Sequence, residues 1–359
     1  MVPVVDLSRR GVRLADAYVE RVAEILRRGT LLLGPETAGF ELDFAAWASS
    51  ASSAPVGAVT VSSGASAIQL ALAAIGVGPG DEVIVPAFTA VPTASAVAAL
   101  GAVPVPVDVM RDTAAIDPVA MATARTERTR AVVVVHLYGR PSPLPLTDLP
   151  IVEDAAQAHG ALTDHARSAA VAYSFYPTKN LGGIGDGGAV VSADGALLER
   201  IRRLRVHGMT EQYVHESVSQ NFRLSELEAG WLRMTLPDLA AANERRRTIA
   251  GRLRVAAPQL AWHPDDPRHV HHLCVFRAPH RHLVRAWLAD HRVATGVHYP
   301  LAITQQPAYR HLAHPPCPQA ESWAAECITV PCFPELTESE IDQVESSLAT
   351  LDVDRIAAA

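Results

Sequence analysis

From about Val56 to Val191 the chain repeats one pattern: a short apolar run, mostly β-branched, then an alanine-rich stretch with helical spacing. Segments 56–63 (VGAVTVSS), 81–87 (DEVIVPA), 101–109 (GAVPVPVDV) and 130–139 (RAVVVVHLYG) read as strands. So do 149–155 (LPIVEDA), 170–177 (AVAYSFYP) and 187–193 (GGAVVSA), while 63–76 (SGASAIQLALAAIG) reads as a helix. The run VVVV at 132–135 does not alternate apolar with polar residues, as a strand with one wet face would. Such runs belong to strands covered on both faces. Strands separated by helices join through crossovers, so the pattern predicts an α/β fold with a mostly parallel central sheet.

The flanks have a different texture. Residues 15–29 (ADAYVERVAEILRRG) place Tyr18, Val22, Ile25 and Leu26 on one helical face, with Gly29 as the stop. Residues 225–254 predict a long helix broken near Pro237, and 339–351 a last helix. Between them lies a His- and Pro-rich stretch. At about 150 residues per domain, 359 residues suggest two, placed here at 1–240 and 241–359, the second a smaller α/β domain. Hydrophobic residues at 49% and charged residues at 19% exclude a disordered chain. Thirty-one Lys+Arg against 38 Asp+Glu leave a net charge of −7, which argues against a nucleic-acid or anionic-membrane partner. The beginning of the chain lacks the basic-then-apolar run of a signal peptide, and no apolar stretch approaches about 18 residues. The expectation is a soluble, cytoplasmic enzyme.

In an open α/β sheet, ligands bind at the carboxyl ends of strands, so polar residues there are the candidates. Ser62-Ser63-Gly64-Ala65-Ser66 lies between a strand and a helix. It is either a plain tight turn or an anion cradle, where backbone N–H groups meet a phosphate at a helix N-terminus. Glu153 and Asp154 end a buried apolar run. Asp154 is either an N-cap or the partner of a cation. Lys179 follows another strand and precedes a loop with five glycines. It is either a solvated surface charge or an amine whose burial lets it form a Schiff base. Together the three supply what a pyridoxal 5'-phosphate site requires: a phosphate cradle, a carboxylate for the pyridine nitrogen, and a lysine for the aldehyde.

The same residues carry a family resemblance. Segments LLLGPETAGFELDFAAW, VSSGASAIQLALAAIGVGPGDEVIVPAFTAVPTASAV, IVEDAAQAHGA, YSFYPTKNLGGIGDGGAVV, QNFRLSELEAGWLRMTL and TGVHYPLAITQQPAY occur in order along nearly the whole chain. In these the chain resembles the DegT/DnrJ/EryC1/StrS sugar aminotransferases. The resemblance implies the aspartate-aminotransferase-like fold type I, and Lys179 as the catalytic lysine that bonds the cofactor and shuttles a proton. It implies Asp154 at the pyridine nitrogen, Gln157 near the ring 3-oxygen, and Gly64, Ala65 and Ser174 at the phosphate. It further implies that Asn221 reaches the cofactor phosphate of a neighbouring subunit in a homodimer, and that His298 and Tyr299 lie near the sugar. The implied activity is amino transfer from glutamate or glutamine to a nucleotide-linked ketosugar. Members with His in place of Lys179 are dehydratases, and the loop LGGIGDGG resembles members acting at C3. A cyclitol ketone as substrate, or a non-catalytic cofactor-binding homologue, are the alternatives.

Five features depart from this pattern or stand outside it. Ala65 lacks the hydroxyl usual at its position. Ala90 stands where an aromatic residue stacks on the cofactor ring, with Phe88 as the nearest substitute. Segment 139–154 is short, which removes or trims a helix. His314, Cys317, Cys327 and Cys332 have no zinc-ligand spacing, and with Cys274 they form no disulfide framework, so no metal is expected. Arg245-Arg246-Arg247 reads as a solvated helix face, with contact to a nucleotide diphosphate as the alternative.

Overall fold

The structure, a computed structural model, describes residues 1–162 and 164–358. Seven strands form the central sheet: β1 (Gly57–Val61), β2 (Glu82–Pro86), β3 (Val103–Val107), β4 (Thr129–Val135), β5 (Ile151–Asp154), β6 (Ala170–Ser174) and β7 (Gly188–Ser192). Their order is β1-β7-β6-β5-β4-β2-β3, and only β7 runs antiparallel to its neighbours. Each strand read from the sequence is present. Because β7 reverses between them, β1 and β6 point the same way, and β1, β2, β4, β5 and β6 all end at one edge.

The valine runs are buried on both sides, as their lack of alternation requires. Val133 and Val135 of β4 belong to the core that contains Ile68 and Leu72, whereas Val132 and Val134 join Met121 on the other face. The covering helices are α1 (Leu7–Arg28), α2 (Pro35–Ser49), α3 (Gly64–Ala74), α4 (Val91–Ala98), α5 (Pro118–Ala124), α6 (Gly195–Leu204) and α7 (Glu226–Thr235). Segment 140–150 contains no helix. A hairpin, β8 (Met209–Glu211) and β9 (Val214–His215), lies beyond α6.

A 3-10 turn at Leu236–Asp238 follows α7 and leads into α8 (Leu239–Ala256), so the break does fall at Pro237. The rest of the chain adds β10 (Ala261–Trp262), β11 (Cys274–Arg277), α9 (Arg281–Asp290), α10 (Pro318–Glu326), β12 (Cys327–Val330), α11 (Glu338–Ala349) and α12 (Val353–Ala358). β10, β11 and β12 make an antiparallel sheet with its own core around Phe276, Ile328 and Leu348. Val2 joins this second core, its backbone paired beside Val293. No helix among the described residues is long and apolar enough to cross a membrane.

Two helix readings need correction. In α1 Ile25 is fully buried, but Leu26 is exposed, and Leu14 and Tyr18 complete the packed stripe. Ile25 and Leu26 are about 100° apart around the helix, which carries Leu26 off the stripe. In α8, Arg246 is buried while Arg245 reaches Glu338 and Arg247 reaches Glu244 at the surface. Three consecutive helical residues span about 200°, so a packed helix cannot keep all three in water.

The start of α2 depends on a residue far away in sequence. Its N-cap, Gly34, has no side chain to accept the free N–H groups of the first turn. Glu226 of α7 accepts instead, from the N–H groups of Gly34, Glu36 and Thr37 and from the Thr37 hydroxyl, at 2.6–2.9 Å. Burial pushes the Glu226 carboxyl up, but these donors outweigh it and hold it below the usual range. Glu226→Gln turns an acceptor into a donor facing N–H groups, and is expected to cost about 1–3 kcal/mol at pH 7. A carboxyl whose folded pKa is depressed stabilises above its unfolded pKa, near 4.3, and loses that contribution as pH falls. Denaturant unfolding of both proteins checks this: the gap should narrow below about pH 4, and a gap independent of pH would contradict it.

Candidate active site

The common edge of β1, β2, β4, β5 and β6 opens into a cavity of about 580 Å³, within the range of small-molecule sites. Gly64, Ala65, Asp154, Gln157, Ser174, Lys179, His298 and Tyr299 all line it. Asn221 does not: it is exposed, pairs with Val206 and accepts from the Arg223 guanidinium at 2.8 Å.

At the end of β1 the turn Ser62–Ser63 leads into α3. The Ser63 hydroxyl caps the helix by accepting from Ser66 N–H at 3.0 Å, and Ala67 N–H bonds Ser63 O. The N–H groups of Gly64 and Ala65 have no acceptor among the described residues. Ser174, ending β6, sits against this turn so closely that a Cβ at Gly64 would lie 2.6 Å from its own Cβ. Glycine is therefore required where the two strand ends meet.

Strand alternation separates the two carboxylates of β5. Glu153 faces away and bonds His136 Nε2 at 2.8 Å, while Asp154 faces the cavity. Among the described residues Asp154 neither caps a helix nor forms an ion pair. One oxygen accepts from Ala156 N–H at 3.1 Å in a turn, and the other accepts from the Thr93 hydroxyl at 2.8 Å. Three residues on, Gln157 Oε1 accepts from Tyr138 N–H at 2.6 Å and its amide donates to the Tyr299 hydroxyl at 2.9 Å. The Tyr138 hydroxyl donates to His298 O, and the His298 ring bonds the Thr329 hydroxyl at 2.8 Å. The loop carrying His298 and Tyr299 is thus tied to the ends of β4 and β5.

Lys179 is the only lysine in the chain; all other basic side chains of that class are arginine. Protein surrounds it, yet part of its surface stays free because it faces the cavity. Burial pulls its amine down to about 8, and Asp154 opposes that shift. The glycine loop that follows is shaped by Glu228, whose carboxylate accepts from Ile184 N–H at 3.1 Å. A Cβ at Gly183 would land on that carboxylate oxygen. Burial also holds the His298 ring down to about 4, with Lys179 adding to the effect, so this ring is neutral at pH 7.

Other expectations resolve by packing. Phe88 stacks on Trp323, centroids 5.9 Å apart, in the core and away from the cavity, so it does not replace the aromatic residue absent at Ala90. All four cysteines are free and buried. Arg246 lines the cavity and donates to Cys332 O at 2.6 Å, while its Nε has no partner among the described residues. Sequence reasoning put Arg246 on a solvated face and did not single out Thr93 or Tyr138. None carries a local motif, whereas the single lysine was visible in the sequence and isolates Lys179 at once.

The geometry fits pyridoxal phosphate. Two free N–H groups and Ser174 stand where a phosphate would need donors, and Asp154 and Lys179 face one cavity. Comparisons with known proteins agree. Residues 13–349 match the model of the DegT/DnrJ/EryC1/StrS aminotransferase family. The chain is 41% identical to the erythromycin biosynthesis sensory transduction protein EryC1 of Saccharopolyspora erythraea, over 97% of this chain and 98% of that one. It is 42% identical to dTDP-3-amino-3,4,6-trideoxy-alpha-D-glucose transaminase of Streptomyces venezuelae, over 93% and 92%. Among solved structures it is similar to S. venezuelae DesV in complex with a ketimine intermediate, with a TM-score of 0.89, 39% identity and 97% of each chain covered.

Because the chain has one lysine, its amine can be followed alone. In cofactor-free protein labelled with 15N-lysine, Lys179 is expected to lose its proton with a midpoint near pH 8, against about 10.4 for a free side chain. A midpoint above pH 10 would mean that the amine does not feel the protein interior.

Proposed function

Since the chain belongs to the DegT/DnrJ/EryC1/StrS aminotransferase family, we propose that it transfers an amino group from glutamate or glutamine to C3 of a nucleotide-linked keto-deoxyhexose. The observation that carries this reading is the sole lysine of the chain, held in a buried cavity with a lowered pKa, opposite Asp154. Bound pyridoxal phosphate supplies an aldehyde that captures amines and a protonated ring that withdraws electrons.

The residues divide the remaining work. The N–H groups of Gly64 and Ala65, with the Ser174 hydroxyl, hold the phosphate at the positive end of α3. Asp154, steadied by Thr93, keeps the ring nitrogen protonated by opposite charge. Gln157, held by Tyr138 and Tyr299, would face the ring's oxygen edge. Lys179 takes and returns the proton at the substrate carbon, which requires its neutral form. His298 and Tyr299 border the sugar. Attack on C3 is supported by the name of the S. venezuelae relative, a 3-amino-sugar transaminase, and by the loop 181–188. Asn221, exposed at the surface, suits a contact with a second subunit, whose site it would complete.

Arg246 supports a carboxylate-bearing donor. It is a buried cation on the cavity wall, and among the described residues no carboxylate pairs with it. A buried charge without a counterion is costly, so an anionic substrate group is its natural partner.

Purified protein loaded with pyridoxal phosphate should convert glutamate to its keto acid and aminate a dTDP-linked 3-keto-6-deoxyhexose. Lys179→Ala should lower turnover by about 10²- to 10⁴-fold or more, as expected for loss of a positioned acid-base group. Full activity in that variant would refute the assignment. Arg246→Gln is expected to raise KM for glutamate about tenfold or more, the scale of a charge-assisted hydrogen bond, with KM for the ketosugar unchanged. Equal changes in both constants would instead mark Arg246 as a support for the Cys332 backbone. Preference for a cyclitol ketone over the nucleotide sugar would move the substrate to that class.

A further inference from the structure

The glycine loop after Lys179 is gripped from behind the cavity by side chains of α1 and α7. Arg10 of α1 donates through Nη2 to two carbonyls that bracket the lysine, Pro177 O at 3.1 Å and Gly183 O at 3.4 Å. Its guanidinium also lies over the Trp231 ring, 5.6 Å from the centroid. From α7, Trp231 Nε1–H donates to Gly182 O at 2.9 Å, and Glu228 accepts from Ile184 N–H at 3.1 Å. Tyr18 joins the two helices: its hydroxyl donates to Leu227 O at 2.9 Å, and its ring meets Trp231 edge-on.

The loop in turn closes on the strand end that carries Lys179. Gly183 N–H bonds Phe175 O at 2.7 Å, and Lys179 N–H bonds Tyr176 O at 2.8 Å. A Cβ at Gly182 would collide with Pro177 O, and one at Gly183 with the Glu228 carboxylate. Packing this close passes any change in the grip to the backbone of Lys179.

We propose that Glu228 and Arg10 are positioning residues for Lys179, and that the ionised form of Glu228 holds the loop in its working shape. The proposal rests on Lys179 being the catalytic amine. An ionised carboxylate offers only acceptors to the loop N–H groups, whereas a protonated one turns an oxygen into a donor. Burial pushes the Glu228 carboxyl up to about 7; the N–H groups of Ile184 and Gly185 and the charge of Arg10 oppose this, and Asp186 adds to it. Burial likewise raises the neighbouring Tyr18 hydroxyl to about 12. Burial lowers the Arg10 guanidinium, which has Glu335 and Arg13 as its other charged neighbours, but leaves it a cation. Glu228 therefore changes charge near neutral pH, where Arg10 and Tyr18 do not. A proton-transfer group is sensitive to such a change, because a shift of about an ångström in its position is worth about 10²-fold in rate.

The single lysine makes the test direct. In full-length protein labelled with 15N-lysine, with cofactor bound and again after its removal, the Lys179 signal should show an inflection near pH 7, apart from the amine's own midpoint. Glu228→Gln should abolish that inflection in both forms. In the loaded enzyme it should lower kcat for glutamate about tenfold or more, with KM within twofold, and remove the step near pH 7 from the kcat profile. Arg10→Lys keeps the charge but not the fork that reaches both carbonyls, so kcat should fall while the inflection stays. A carboxyl whose folded pKa is raised costs stability as pH climbs from about 4.3 to 7. Glu228→Gln should therefore need no less denaturant than the parent protein to unfold at pH 8. A lysine signal indifferent to Glu228→Gln, or kcat within twofold of the parent in both variants, overturns the proposal. So does a fall in kcat matched by a fall in stability at pH 8, the mark of a purely structural role. Failure to aminate any ketosugar would instead count against the assigned substrate, and the lysine signal would still decide the role of Glu228.

Discussion

A sheet buried on both faces leaves no flank on which polar chemistry can be placed. Strand residues facing a helix layer are apolar or carry a partner: the valines of β4 are the first kind, and Glu153, bonded to His136 through one oxygen while the other has no partner among the described residues, is the second. Polar function is driven to the strand ends. Because β1, β2, β4, β5 and β6 share one direction, their ends coincide, and residues more than a hundred positions apart come to border one cavity. The closeness of Gly64 and Ser174 follows directly: two strand ends meet, and only a residue without a side chain lets the α3 N-terminus approach.

Within that cavity, opposing terms are balanced rather than minimised. Burial lowers the pKa of Lys179, while Asp154 raises it, and the net leaves an amine that can lose its proton near neutral pH. Asp154 in turn is held by a hydroxyl and a backbone N–H instead of a neighbouring cation, which keeps it available as a counter-charge for a ligand. The loop with His298 and Tyr299 is bound to the same strand ends through Tyr138 and Gln157, so it and the strand ends form one hydrogen-bonded wall of the cavity.

The strands were legible because burial on both faces writes itself into composition, and the helix break at Pro237 because proline cannot donate its N–H. Lys179, Asp154 and the Gly64–Ala65 turn were legible as strand-end motifs, whereas Gln157 and Ser174 came from the family resemblance; all of them line the cavity. Leu26 and Arg246 were misread for one reason. Helical periodicity says which residues share a stripe, but the width and rotation of the buried stripe depend on what packs against it. Phe88 was open for a similar reason. It faces Trp323, a residue 235 positions away, and no local pattern reports that neighbour.

Sequence by itself determined the layered α/β architecture, the order of the strands along the chain and the identity of the motif residues, since these depend on hydrophobic period and local backbone preference. Tertiary structure alone decided which side chains share a cavity. It placed Thr93 on Asp154, Arg246 in the wall, and Glu226 on the first turn of α2. Those contacts join segments whose separation in sequence carries no period. The Thr93–Asp154 and Glu226–α2 contacts form as the first core packs, driven by burial of apolar surface, and Arg246 reaches the wall from α8.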